Sequence, residues 1–199
     1  MPVFYMPPLS WWSVFLKEEN TVLFEQYENF PKQTYRNRAN IYGANGKLSL
    51  IIPIAHNKKR AYHEIEISYR ENWQQLHWKS IKTAYQSSAY FEFYEDALFE
   101  IYQKKTKGLL EFNLNAIETI QGILKTQKAY SLNNKYEKEL NIPNYREAFS
   151  SKEPSQAKVP QYFQVFDEKY GFLEDLSIVD LLCNLGPESR AFLSGIVNN

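Results

Sequence analysis

With 199 residues, 44% hydrophobic and 23% charged, the chain has an ordinary globular composition and enough apolar side chains for one core. Lysine plus arginine equals aspartate plus glutamate at 23 each, which excludes the long-range positive field that a nucleic-acid binder uses to gather phosphates. A single cysteine, Cys183, excludes an intrachain disulfide, and one cysteine with three scattered histidines gives no zinc spacing, so no metal and no cofactor are expected.

The opening Met-Pro-Val-Phe-Tyr-Met-Pro-Pro lacks the basic start and apolar run of a secretory signal, and no later stretch approaches the roughly 18 uninterrupted apolar residues of a membrane span. A cytoplasmic protein is therefore expected. Short β-rich runs dominate the first third: Val3 to Met6, Thr21 to Tyr27, Lys32 to Tyr42, Leu48 to Ile54, and Glu64 to Ser68. Pro7 and Pro8 cannot donate to a ladder and end the first run, after which Trp11 and Trp12 open a short helix ending near Lys17.

Gly43-Ala44-Asn45-Gly46 predicts a hairpin, because Asn-Gly tolerates the positive φ of a two-residue turn. With Asn45 and Gly46 as the loop, Ile41 faces Leu50 and Ala39 faces Ile52 on the core side. The other face then carries Lys32, Thr34, Arg36, Arg38 and Asn40, a row with three cations at alternate positions.

From Asn72 the period becomes helical. Asn72 is the expected N-cap with Gln75 three residues on, and Trp73, Leu76, Ser80, Ile81 and Ala84 lie near one stripe. Helices over Tyr90 to Lys104 and Leu109 to Thr126 follow, then a brief strand near Ala129 to Leu132. Ser, Lys, Glu and Pro make residues 150–158 an exposed loop inside a single domain spanning 1–199. Ser177 and Asp180 read as a helix cap, Gly186-Pro187 as a stop followed by a new helix, and Cys183 as a buried, unreactive thiol. The expected architecture is a single α/β domain, an N-terminal mixed sheet with an Asn-Gly hairpin packed by helices from the middle and the C-terminal part.

Lys32, Arg36 and Arg38 could cradle an anion, since guanidinium groups match the forked geometry of carboxylate or phosphate, with Gln33 and Asn37 as further donors. A solvated sheet face is the plain alternative. His77 and Ser80 share a helix face at i and i+3, which places an imidazole and a hydroxyl together without making them a catalytic pair. His56 sits in a basic loop, and His63 reads as a strand-edge residue. No glycine-rich nucleotide loop is present: Gly43 to Gly46 has neither the dinucleotide nor the P-loop spacing.

Phe4-Tyr-Met-Pro-Pro8, Lys32-Gln-Thr-Tyr-Arg-Asn-Arg38, Leu50-Ile-Ile-Pro-Ile54 and His77-Trp-Lys-Ser-Ile-Lys-Thr-Ala-Tyr85 occur in this order, with Tyr90-Phe91 and the late block Leu176 to Glu188 behind them. Together they resemble the WbqC-like family. That resemblance implies a link to bacterial surface-polysaccharide (O-antigen) genes and an aminoacyl or acyl transferase, of glycine type, acting on a sugar or sugar nucleotide. The alternative it leaves is a non-catalytic binding module for a sugar nucleotide or a carrier-protein partner. Carried over onto matching positions, it adds weight to Pro7, Pro8, Gln33, Arg36, Asn37, Arg38, His77 and Tyr85. The resulting expectation is one concave space in which Lys32, Gln33, Arg36, Asn37, Arg38, Ser80, Tyr85, Pro7 and Pro8 hold an anionic sugar nucleotide or acyl donor and His77 removes a proton.

Overall fold

The computed structural model describes residues 1–17, 21–139 and 141–198. Its amino-terminal segment is a buried thread rather than a strand. Val3, Phe4 and Tyr5 are fully enclosed, but Met6 takes a φ of 41°, outside the extended region, and no ladder forms. Pro2 bridges to Glu25, Tyr5 N–H donates to the Tyr35 carbonyl at 2.9 Å, and Pro8 bridges to Ser177, so the thread ties early and late parts of the chain.

Helix α1 (Leu9–Lys17) is apolar on most of its surface and is buried accordingly. Trp11 stacks on Phe15 at 4.9 Å, Phe15 on Phe24 at 5.5 Å, and Phe24 meets Tyr130 at 4.8 Å. Asp175 satisfies the first turn by accepting from both the backbone N–H and the hydroxyl of Ser10, each at 2.7 Å. Phe24 closes β1 (Val22–Phe24), which pairs in parallel with β4 (Tyr130–Leu132).

The hairpin is β2 (Arg38–Gly43) with β3 (Gly46–Ile51). Its register differs from the expected one by two residues: Gly43 pairs with Gly46, Ile41 with Leu48 and Ala39 with Leu50. Ala44 and Asn45 form the loop, and the positive φ falls on Gly46 at 94°, as in a type I turn followed by a left-handed glycine. A shift of two leaves each side chain on the same face.

The run from Lys32 does not become a strand before Arg38. Residues 32–37 form turns: Gln33 adopts φ 61°, Thr34 Oγ1 donates to the Pro31 carbonyl at 3.2 Å, and Asn37 N–H donates to the Thr34 carbonyl at 3.3 Å. Consequently the alternating row of Lys32, Arg36 and Arg38 is not formed. Pro53 likewise stops β3 short of Ile54, and the run Glu64 to Ser68 holds the end of a short 3-10 turn (Tyr62–Glu64) and isolated bridges at Glu66 and Ile67 in place of a strand.

Helices α2 (Trp73–Tyr85), α3 (Phe91–Gln103) and α4 (Leu109–Ile123) follow closely where the periodicity puts them. Asn72 caps α2, accepting from Gln75 N–H at 3.4 Å. The buried stripe is Trp73, His77, Ile81, Ala84 and Tyr85, while Leu76 is 63% exposed. His77 takes the inward place because Tyr5 offers its imidazole a hydrogen bond there.

The segment from Asn133 to Phe166 contains neither helix nor strand among its described residues, and 150–158 is largely exposed apart from Ala157. Two short helices, α5 (Asp167–Tyr170) and α6 (Ile178–Leu185), and a third, α7 (Ser189–Gly195), complete the chain. One cluster of buried apolar side chains runs from Val3 to Ile196, which makes this a single α/β domain whose sheet is two short pieces, a parallel pair and a hairpin. Among the described residues no helix is long and apolar enough to cross a membrane.

Candidate functional site

The turns that replace the expected strand form one wall of a cleft of about 630 Å³. Glu28, Lys32, Gln33 and Arg36 come from the segment after β1, and Tyr136, Arg146, Glu147 and Lys152 face them from the long segment after β4. Ser151 Oγ donates to the Gln33 carbonyl at 2.7 Å and joins the two walls.

Both arginines are already matched. Arg36 donates from Nε to Glu28 Oε1 at 2.6 Å and lies 2.6 Å from the same oxygen through Nη2, with both side chains under 10% exposed. Its guanidinium sits 5.5 Å from the Phe4 ring centroid. Arg146 pairs with Glu25 through Nε at 3.0 Å and through Nη2, and stacks over Tyr136 at 4.7 Å. Lys32 and Lys152 make no ion pair among the described residues. Unpaired positive charge in the cleft is thus carried by two lysines, one from each segment, beside two ion pairs whose carboxylates are buried.

The remaining expected site residues lie elsewhere. Asn37 donates to the Ile52 carbonyl at 2.9 Å, and Arg38 begins β2 half-buried, its Nε enclosed without a hydrogen-bond partner. Pro7 and Pro8 are buried: the Pro7 carbonyl accepts from Ile178 N–H at 3.0 Å. Ser80 Oγ donates back to the Leu76 carbonyl at 2.9 Å and does not meet the imidazole. His56 is an exposed loop residue, and His63 lies in the 3-10 turn, its Nδ1 3.1 Å from the Gln26 carbonyl oxygen.

His77 is enclosed between Trp73, Tyr5 and Tyr102. Its Nδ1 lies 3.0 Å from Tyr5 Oη, which is 2.6 Å from Tyr102 Oη. Burial lowers its pKa from 6.5 to about 4, against a smaller upward effect of a hydrogen bond to the Ile51 backbone, so the ring is neutral at pH 7. The cleft that takes Lys32, Gln33 and Arg36 leaves Arg38 and His77 outside it.

Tyr85 belongs to a second buried network whose centre is Asp180. Tyr85 Oη donates to Asp180 Oδ1 at 2.9 Å and accepts from Tyr42 N–H at 3.0 Å. Tyr162 Oη donates to Oδ2 at 2.5 Å, and Gln164 Nε2 does so at 3.0 Å. Asp180 is therefore not the capping acid that its place after Ser177 suggests. Ser177 Oγ accepts from Val179 N–H on its own, and the Asp180 carboxylate is turned inward. Burial raises its pKa to about 6 despite three donors that favour the ionised form. Local sequence gives no sign of this, because the donors come from two other segments, α2 for Tyr85 and the irregular stretch before α5 for Tyr162 and Gln164. Arg146, Glu147 and Lys152 were missed for the same reason. Cys183 is buried, and its thiol pKa is raised, chiefly by burial.

Fold and cleft together define a small α/β protein with a cleft assembled from irregular segments and lined by cations from both of them. The chain belongs to the WbqC-like protein family, whose family model matches residues 4–147. No curated protein and no solved structure matches it. The matched span covers one cleft wall and Arg146 and Glu147 on the other, and ends before Lys152, Asp180 and the late block Leu176 to Glu188.

Proposed function

We propose that this chain holds an anionic small molecule, a sugar nucleotide or an acyl donor of surface-polysaccharide biosynthesis, in the cleft between Lys32 and Lys152. One observation carries this reading: the cleft's two arginines are neutralised by buried carboxylates, while its two lysines make no ion pair among the described residues. Lysine acts as a hydrated point charge with three rotatable donors, which suits a phosphate or carboxylate arriving from solvent. Uridine diphosphate glucose and acetyl phosphate are suitable probes for titration calorimetry. Lys32→Ala and Lys152→Ala should each weaken binding by about tenfold. Wild-type affinity in both variants would overturn the proposal.

A transferase of the aminoacyl or acyl class is the second reading, favoured by Glu147, a cleft carboxylate with no ion pair among the described residues. It could accept the proton of an attacking amine or hydroxyl, a role that His77 would have to perform from outside the cleft. Product analysis by mass spectrometry separates the two readings. A transferase turns over and loses turnover in Glu147→Gln while keeping its affinity, whereas a binding module saturates without product.

A further inference from the structure

A second groove, of about 570 Å³, meets the cleft at Asn29 and Lys32. Four of its eleven lining residues are cationic, Lys32, Lys58, Lys59 and Arg60, and none is a carboxylate. In a chain with 23 basic and 23 acidic side chains this is a sharp local excess. Lys59 is neutralised by Glu66 at 2.6 Å. Lys32, Lys58 and Arg60 make no ion pair among the described residues. Phe30, Ile54 and the buried Ile65 supply an apolar wall beneath them.

The loop carrying Lys58 and Arg60 is anchored at both ends. Ala55 N–H donates to the Glu66 carbonyl at 2.8 Å, and Phe30 N–H donates to the Arg60 carbonyl at 2.7 Å. Three unpaired cations thus line one groove, and a bound dianion would offset their like charge.

We propose that this groove binds a phosphate monoester, its phosphoryl oxygens taken by Lys58, Arg60 and Lys32 and its organic group laid on Phe30, Ile54 and Ile65. A dianion matches three unpaired cations better than a monoanionic carboxylate does, and the guanidinium fork of Arg60 fits two phosphoryl oxygens. The apolar wall requires that the phosphate carry an organic group. This site stands independently of the cleft reading above, although the two share Lys32.

Phenyl phosphate and inorganic phosphate serve as probes in calorimetry on the full chain. Lys58→Asn combined with Arg60→Gln removes the two unpaired charges that the groove does not share with the cleft. Asparagine suits the φ of 62° at Lys58, and both side chains are exposed, so the melting temperature should not change. Wild-type protein should bind phenyl phosphate more tightly than inorganic phosphate, the double variant should lose at least about tenfold, and Lys152→Ala should keep wild-type affinity for phenyl phosphate. Unchanged binding in the double variant overturns the proposal. If Lys152→Ala then abolishes binding, the ligand sits in the first cleft and only the groove reading fails. Co-sedimentation with phosphatidylcholine vesicles, with and without phosphatidic acid, whose headgroup is a phosphate monoester, separates a soluble ester from a lipid headgroup. Vesicle binding lost in the double variant, without phenyl phosphate binding, would overturn the small-molecule form, and absence of binding to every probe would overturn the site.

Discussion

Asp180 and His77 are buried titratable groups displaced in opposite directions, and their effects on stability oppose each other over the same range of pH. Burial raises Asp180 from 3.8 to about 6, so between those values the folded state holds more protons than the unfolded one and stability falls as pH rises. Burial lowers His77 from 6.5 to about 4, so there the unfolded state holds more protons and stability is lost as pH falls. Each contributes about 3 kcal/mol across its full window, and between pH 4 and pH 6 the two slopes largely cancel. Asp180→Asn removes one slope. Relative to wild type, the variant should lose about 2 kcal/mol more at pH 4 than at pH 7 in urea denaturation. A parallel pH dependence for the two proteins would show that the carboxyl does not titrate in this window. His77→Phe, which keeps a ring of similar size, should reverse the trend and become relatively more stable on acidification; calorimetric melting across the same range checks it.

At the scale of elements, two glycines test where the backbone rather than side-chain packing sets the geometry. Gly46 carries a φ of 94° with open space where a Cβ would stand, so Gly46→Ala should cost only the conformational term, about 1 kcal/mol. Gly186, which ends α6 with a φ of 53°, packs against Tyr90: an added Cβ would lie 2.4 Å from two atoms of that ring. Tyr90 is fixed there, its N–H donating to the Cys183 carbonyl at 2.9 Å. Gly186→Ala should therefore cost about 3 kcal/mol or more, since strain and overlap add. Equal midpoints for the two variants in chemical denaturation would contradict this difference.

For the whole molecule, the amino-terminal thread and the Arg36–Glu28 pair hold together parts of the chain with no helix or strand in common. Removing residues 1–8 would uncover Trp11 and α1, strip the Tyr5 partner from His77, and delete the bridges to Glu25 and Ser177. Loss of the cooperative unfolding transition is the expected result, read by calorimetry. Arg36→Ala leaves Glu28 as a buried, unpaired carboxylate and should cost about 3 to 5 kcal/mol, whereas Arg36→Met with Glu28→Leu should recover most of that stability. A single variant at wild-type stability would show that the pair is solvated.

Helices α2, α3 and α4 and the hairpin were legible because their signals are local: a 3.6-residue apolar period, Asn72 before it, and Asn-Gly between two strand-like runs. Lys32, Gln33 and Arg36 were legible as residue types able to hold an anion, but their arrangement was not, since a left-handed Gln33 and the turns around Thr34 break the expected alternation. Sequence by itself determined the α/β class, the family, most helices and the faces of the hairpin, because each depends on neighbours within a few turns. Tertiary structure alone decided that Arg36 meets Glu28, that Lys152 lines the same cleft as Lys32, and that Asp180 gathers Tyr85, Tyr162 and Gln164. Those partners are joined by long-range packing, and a charge or hydroxyl carries no local mark of the distant group that will satisfy it.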